Sequence, residues 1–373
     1  MTINYYGTIV IATLDIFSGK HLRDQQYLLK FPGGIFLFDL IQEAEKNKFL
    51  VMGLDEFKNG KESVKPAYLV SDMGIGLECC GDKLSPGILW ALESPIVSTR
   101  FYNSLNKITE KFPITLLWSA CNERVSQKSN FEAIFWPNHN YKNKIFEGNK
   151  EGIVAVTAYK RHLRLIWIPS KLNLYGIIRA VASMVLHAPR TVWIKFNDPW
   201  VHRDNTNNKF NLIKEVGLST KLDIYGNGWD KTSYFKNSKE MMNVIKKCYK
   251  GVINGGVKQK LETISKYKFC ICYENIKLNG YITEKIFDAI QSRVIPVYSG
   301  APDIENYVWP CSFINADKFS DVKALVTYIN SLSLETCEQI LHCGERYLNS
   351  DDYSKLSSKN LAKKFINKLK ALA

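Results

Sequence analysis

Two α/β units in tandem, each built on a sheet of parallel strands and facing one another across a cleft, are what this 373-residue chain predicts. Three observations carry the prediction. The length exceeds the roughly 250–300 residues at which a single hydrophobic core stops growing. Short apolar runs alternate with segments of helical spacing in both halves, and that β-α-β rhythm builds parallel sheets. A polar stretch lies between the halves, His139 through Lys144 and on through Gly148 to Gly152, with the composition of a linker. The implied regions are 1–148, 149–350 and a tail at 351–373.

Taken in order, residues 7–14 read as a buried first strand, 34–47 carry apolar positions at helical spacing, and Phe49–Met52 returns as a strand. Further strands are expected at Ala67–Val70, at Ile88–Leu92 after the Pro86-Gly87 turn signal, and at Ile114–Trp118. The second half opens with the strand Ile153–Val156, followed by a helix around Leu174–Val185. A polar insert at about 186–220, containing Asn205-Thr206-Asn207-Asn208, then precedes the strand Leu222–Tyr225. The tail from Ser354 sets Leu356, Leu361, Phe365, Ile366 and Leu369 against Lys355, Lys359, Lys363, Lys364, Lys368 and Lys370. Such an amphipathic basic helix either lies on an anionic membrane surface or packs its apolar face onto the protein with the lysines in water.

Composition narrows the function classes. Hydrophobic residues make up 46%, enough for two buried sheets, so disorder is excluded as a general description. A formal charge of +14 suits an anionic partner, or simply a lysine-rich surface. Nucleic acid is not indicated, because no patch interleaves basic residues with aromatic ones. Nine cysteines is an odd number, and Cys79-Cys80 and Cys270-x-Cys272 match neither a zinc site nor a disulfide framework, so a reduced, cytoplasmic setting is expected. The N-terminus lacks a basic region followed by an apolar one, and no run reaches 18 apolar residues, which argues against secretion and a spanning anchor.

The chemistry concentrates in three neighbouring segments. Lys266 to Asn275 is a short apolar strand ending in Glu274-Asn275, Tyr281-Ile282-Thr283-Glu284-Lys285 opens a helix, and Val294 to Gly300 is a second strand closed by glycine. In an open α/β sheet, ligands sit off the carboxyl ends of the strands, so these ends converge on one crevice. Thr283 is a natural N-cap, a helix N-terminus favours anions, and Lys285 beside it suits a pyrophosphate. Glu284 suits ribose or sugar hydroxyls.

The order of these residues resembles the C-terminal signature of glycosyltransferase family 10, the α1,3/4-fucosyltransferases, over about 258–320, with a looser likeness through Leu92-Glu93-Ser94-Pro95 and Asp223-Ile224-Tyr225-Gly226. The resemblance implies a GT-B fold, two facing Rossmann-like domains, and metal-independent, inverting transfer of fucose from GDP-fucose to a GlcNAc-type residue of an oligosaccharide or cell-surface glycan. The nucleotide sugar would be substrate rather than cofactor, held by the C-terminal domain. By this likeness Asn275 and Tyr281 match positions that contact the nucleotide sugar, with Glu274 beside them as a contact or as a loop-orienting acid. Arg179 would hold the phosphates with Lys285, and Arg203, inside the insert, is its rival. Glu93 would be the general base, reaching the cleft from the opposite wall. Tyr225 would stack beside base or sugar, or plug the sheet edge. No Asp-x-Asp pair occurs and the six histidines are scattered, so an acidic metal site is not expected. A GT-B transferase using another nucleotide sugar and a non-catalytic glycan- or nucleotide-binding protein are the alternatives.

Overall fold

Parallel strands organise both halves, as their apolar runs require. The structure is a computed structural model and describes residues 5–13, 17, 19–139, 148–159, 203–230 and 238–372. In the first half, β1 (Gly7–Ala12), β2 (Phe49–Gly53), β3 (Ala67–Asp72), β4 (Ser85–Trp90), β5 (Ile114–Leu117) and β6 (Asn130–Ala133) form one sheet in the order β2-β1-β3-β4-β5-β6, every pair parallel. Each residue of β1 and β3 is buried, because a central parallel strand is covered on both faces. The helix α1 (Pro32–Lys46) places Phe36, Leu37 and Leu40 in the core of this sheet.

The second half repeats the plan. Strands β7 (Ile153–Val156), β8 (Leu222–Tyr225), β9 (Phe269–Tyr273), β10 (Ile295–Ser299) and β11 (Ile314–Asn315) form a parallel sheet in the order β11-β10-β9-β7-β8. Around it pack α2 (Thr206–Ser219), α3 (Lys239–Cys248), α4 (Gly256–Ile264), α5 (Glu284–Gln291), α6 (Val322–Ser331) and α7 (Leu334–Leu348).

Several expectations are corrected. The first strand ends at Ala12 rather than residue 14, where Thr13 turns its hydroxyl to Asp72. The strand β6 escaped detection because Asn130-Phe131-Glu132-Ala133 is a half-exposed edge with no apolar run. The supposed polar insert contains α2: Asn205 to Asn208 is only its polar start, and Phe210, Leu212, Ile213 and Val216 bury its other face. Cys311 and Cys343, 32 residues apart, form a disulfide that the cysteine spacing did not suggest. Cys270 and Cys272 are buried in β9 as small apolar side chains. The expected helix at Leu174–Val185, with Arg179, and part of the expected linker lie outside the described residues.

The tail returns to the first sheet. It forms α8 (Asp351–Lys355) and α9 (Ser358–Lys370), and the latter lays Leu361, Phe365, Ile366 and Leu369 into the first core. The Phe365 ring meets Phe36 and Trp90 edge-on, with centroids 5.1 and 6.1 Å away. Lys364 and Lys368 pair with Glu132 at 2.6 and 2.7 Å. The apolar face of α9 is therefore covered by protein, the second of the two arrangements its pattern allows. Among the described residues no helix is long and apolar enough to cross a membrane.

Because Phe365 is fully buried between α9 and the first sheet, Phe365→Ala is expected to cost about 3–5 kcal/mol of stability, while Lys363→Ala on the exposed face stays within about 0.5 kcal/mol. Equilibrium urea unfolding of the two variants checks this, and equal midpoints would show that the helix contributes little.

Candidate active site

The carboxyl ends of β7, β8, β9 and β10 place Thr157, Tyr225, Glu274 with Asn275, and Ser299 with Gly300 along one edge of the second sheet. Glu274 is 0% exposed. A buried carboxylate survives only when its oxygens are bonded, and here they are. The Thr283 backbone N–H donates to Oε1 at 2.7 Å, Thr283 Oγ1 lies 2.9 Å from both oxygens, and Lys285 Nζ donates to Oε2 at 2.8 Å. Lys285 Nζ also donates to Thr283 Oγ1 at 2.7 Å, so two of its three N–H bonds are engaged inside the protein. Gly300 closes over this group: a Cβ there would stand 2.6 Å from Glu274 Cγ, so only glycine fits.

Thr283 does occupy the N-cap position of α5, but its side chain makes no cap hydrogen bond. The hydroxyl is turned to Glu274, which corrects the simple capping role. The pair Glu274–Lys285 fixes where α5 begins. Burial opposes the charge on Lys285, but Glu274 and then Glu284 outweigh it and hold the ammonium well above its ordinary range. Glu284 lies 3.7 Å from Lys260 of α4, which also bonds Asp288 at 2.6 Å. Burial works against ionisation of Glu284, yet Lys285 and Lys260 hold its carboxyl below the usual range, so it faces the crevice as an anion.

Two further groups complete the edge. Lys209, in the first turn of α2, is 3% exposed, and its Nζ donates to Thr157 Oγ1 at 3.2 Å and Asn275 Oδ1 at 3.4 Å. Burial, with Lys285 adding repulsion, pulls this ammonium down to about 8. Sequence reasoning missed Lys209 because it sat in the segment read as an insert; Phe210-Asn211-Leu212-Ile213 beside it is the apolar signal that could have exposed the helix. Tyr225 is half-buried, with its hydroxyl 3.2 Å from that of Tyr267, which in turn donates to Asp223 at 2.7 Å. Next to it Gly226 adopts φ 139°, and a Cβ would meet the Thr157 carbonyl at 2.3 Å, so the loops after β7 and β8 interlock backbone to backbone. Arg203 is exposed and precedes α2.

Glu93 stands on the other wall. It follows β4, is exposed, and accepts the Ser94 N–H at 2.9 Å, while its backbone carbonyl accepts from Tyr102 Oη at 2.7 Å and Trp118 Nε1 at 3.3 Å. Asp72 ends the neighbouring strand, and burial, with Glu93 adding to it, pushes its carboxyl up to about 7 against the Thr13 hydrogen bond. Tyr281 joins the walls rather than standing open: it is 2% exposed and packs edge-on against Trp118, ring centroids 4.7 Å apart. The structure thus gathers Glu274, Asn275, Thr283, Glu284 and Lys285 at one place with Tyr225 at its flank, sets Glu93 on the facing domain, and uses Tyr281 as the joint. Arg179 lies outside the described residues. Among the described residues no group of three His, Cys, Asp or Glu side chains is arranged to hold a metal.

Residues 199–340 match the family model described as glycosyltransferase family 10 (fucosyltransferase), C-terminal. The α-(1,3)-fucosyltransferase FucT of Helicobacter pylori is 37% identical over 110 residues, 30% of this chain and 23% of that protein. The chain therefore spans less than a quarter of the length of this relative. A crystal structure of an α1,3-fucosyltransferase with GDP superposes with a TM-score of 0.52 at 16% identity, covering 98% of this chain and 90% of the other. Sucrose-phosphate synthase from Thermosynechococcus elongatus gives 0.56 at 10% identity, covering 98% of both chains. These likenesses, with the two parallel sheets, establish the GT-B fold.

The Glu274–Lys285 pair makes a specific demand on stability. Glu274→Ala strands a largely buried ammonium and is expected to cost about 3–5 kcal/mol, whereas Glu274→Ala with Lys285→Met recovers a large part of that loss. Chemical denaturation of Glu274→Ala, Lys285→Met and the double variant against the unmodified protein checks it; strictly additive losses would mean that the two side chains do not act as a pair.

Proposed function

We propose, for a chain whose residues 199–340 belong to glycosyltransferase family 10, that the protein transfers fucose from GDP-fucose to a hydroxyl of a GlcNAc-type residue in an oligosaccharide or cell-surface glycan, with inversion and without a metal ion. The observation that carries this reading is the buried Glu274–Thr283–Lys285 network at the start of α5, which presents Lys285 and Glu284 at the carboxyl ends of the strands where an α/β sheet takes a nucleotide. The remaining N–H of Lys285 would meet the diphosphate, the Glu284 carboxylate would accept hydrogen bonds from ribose or sugar hydroxyls, and the Asn275 amide N–H would donate to them. Arg179 would add a guanidinium to the phosphates.

In the transfer itself the Glu93 carboxylate takes the proton of the acceptor hydroxyl as that oxygen attacks the anomeric carbon of the donor. The bond from that carbon to the phosphate oxygen breaks on the opposite face, and GDP leaves with the electron pair. Its growing charge is met by Lys285 and the helix terminus, groups already in place before reaction. Two walls are needed because the base and the leaving group stand on opposite sides of the sugar. Any contact of the tail with an anionic membrane would run through lysines such as Lys359 and Lys363, since the apolar face of α9 is covered.

Release of nucleoside diphosphate from GDP-fucose, GDP-mannose, UDP-GlcNAc and UDP-galactose, measured in EDTA with N-acetyllactosamine-type acceptors, tests the reading. Turnover is expected with GDP-fucose alone, and Glu93→Gln should lower kcat about 10²–10⁴-fold with GDP affinity unchanged. Turnover of a different donor would replace the fucose assignment, and GDP-fucose binding without transfer to any acceptor would favour a binding protein.

A further inference from the structure

A buried lysine normally has a carboxylate against it, because an ammonium taken out of water without one costs several kcal/mol. Lys209 does not follow that rule. Its Nζ is held by two neutral oxygens, Thr157 Oγ1 and Asn275 Oδ1, and among the described residues no carboxylate lies within 4.0 Å of it. Thr157 and Asn275 come from the ends of β7 and β9, and Asn275 follows the Glu274 that anchors Lys285. Two ammonium groups therefore face the same strand ends from two helices, α2 and α5. One is neutralised by the protein and the other is left for an anion to neutralise.

We propose that Lys209 is a further phosphate-contacting cation of this site and that it takes up a proton as a nucleoside diphosphate binds, which makes donor affinity depend on pH. The inference rests on the donor-site reading above. An exposed lysine would be charged at every working pH and would give no such dependence. In the free protein burial and Lys285 bring the Lys209 ammonium down to about 8. A bound diphosphate favours the charged form and raises it again. Affinity is then complete below pH 8 and is lost as pH rises through 8, by up to about tenfold per unit.

The neighbouring groups do not produce the same effect. Lys285 and Lys260 are held far above their ordinary range by their carboxylate partners, and Glu284 is held below its own. Glu274 and Asp204, the carboxylates whose attraction reaches Lys209, oppose the loss of its proton. Thr157 and Asn275 do not titrate. The slope above pH 8 belongs to Lys209.

Isothermal titration calorimetry of GDP binding between pH 7 and 9.5, in buffers of different ionisation enthalpy, tests this on the full chain, K209R and K209Q. The unmodified protein is expected to lose affinity above pH 8 and to take up as much as one proton on binding. K209R, always charged, should bind within a few-fold of the unmodified protein at pH 7 and show no slope. K209Q should bind about 10–100-fold more weakly at pH 7, also without a slope. If GDP binds but K209Q matches the unmodified protein, or K209R keeps the slope, Lys209 has no such role and the donor reading stands. If the unmodified protein binds no GDP, the donor reading falls and this inference falls with it.

Discussion

The carboxylate of Glu274 sits at the end of β9 with no contact to solvent, and the geometry of this end of the second sheet follows from satisfying it. Thr283 and Lys285 are bound to it, so the helix α5 has to start where it does. Gly300 must lack a side chain to let β10 end against it, and the Ser299 carbonyl accepts the Glu274 N–H at 2.8 Å, tying the two strand ends together. Charge-assisted bonds of this kind are each worth about 1.5–3 kcal/mol. Losing one partner exposes the full cost of burying the other, and that asymmetry makes the arrangement rigid. Rigidity matters for the chemistry, because a cation that meets a leaving group stabilises it best when it needs no rearrangement.

A second constraint acts between the halves. The loop that follows Asn275 leaves the second sheet and buries Ile276, Leu278 and Tyr281 in the core of the first. Val257 and Leu261 of α4 meet Ile35 of α1, and α9 crosses from the second half to cover the first sheet. The two strand edges are thus fastened from several sides while their polar ends remain turned towards one another. Tyr281 explains how one motif serves both purposes: its ring is part of the joint, and Thr283 to Lys285, two residues on, are part of the site. Burial drives its hydroxyl well above the ordinary range, with Glu274 and Glu93 from the two walls contributing.

Much of this was legible in the residues because it depends on local pattern. The parallel strands Phe49–Gly53, Ile153–Val156, Leu222–Tyr225 and Phe269–Tyr273 are apolar runs between turn signals, and the convergence of Glu274, Glu284 and Lys285 follows from where such strands end. What escaped has physical reasons. The edge strand β6 carries no hydrophobic signature, and α2 begins with Asn and Thr residues that resemble a loop. Lys209 looks like any surface lysine in sequence; only the fold shows that it is buried. Its position alone makes Thr283 a cap, whereas the nearer carboxylate takes its hydroxyl. The disulfide between Cys311 and Cys343 depends on a packing of α7 that no spacing rule encodes.

A crystal structure of the protein with GDP bound is the most direct measurement. The account predicts the diphosphate at the carboxyl ends of β7 and β9, with a phosphate oxygen within hydrogen-bond distance of Lys285 Nζ while Glu274 keeps its bonds to Thr283 and Lys285. GDP bound elsewhere, or a Lys285 released from Glu274 to reach the phosphate, would contradict the claim that a preformed buried pair builds this site.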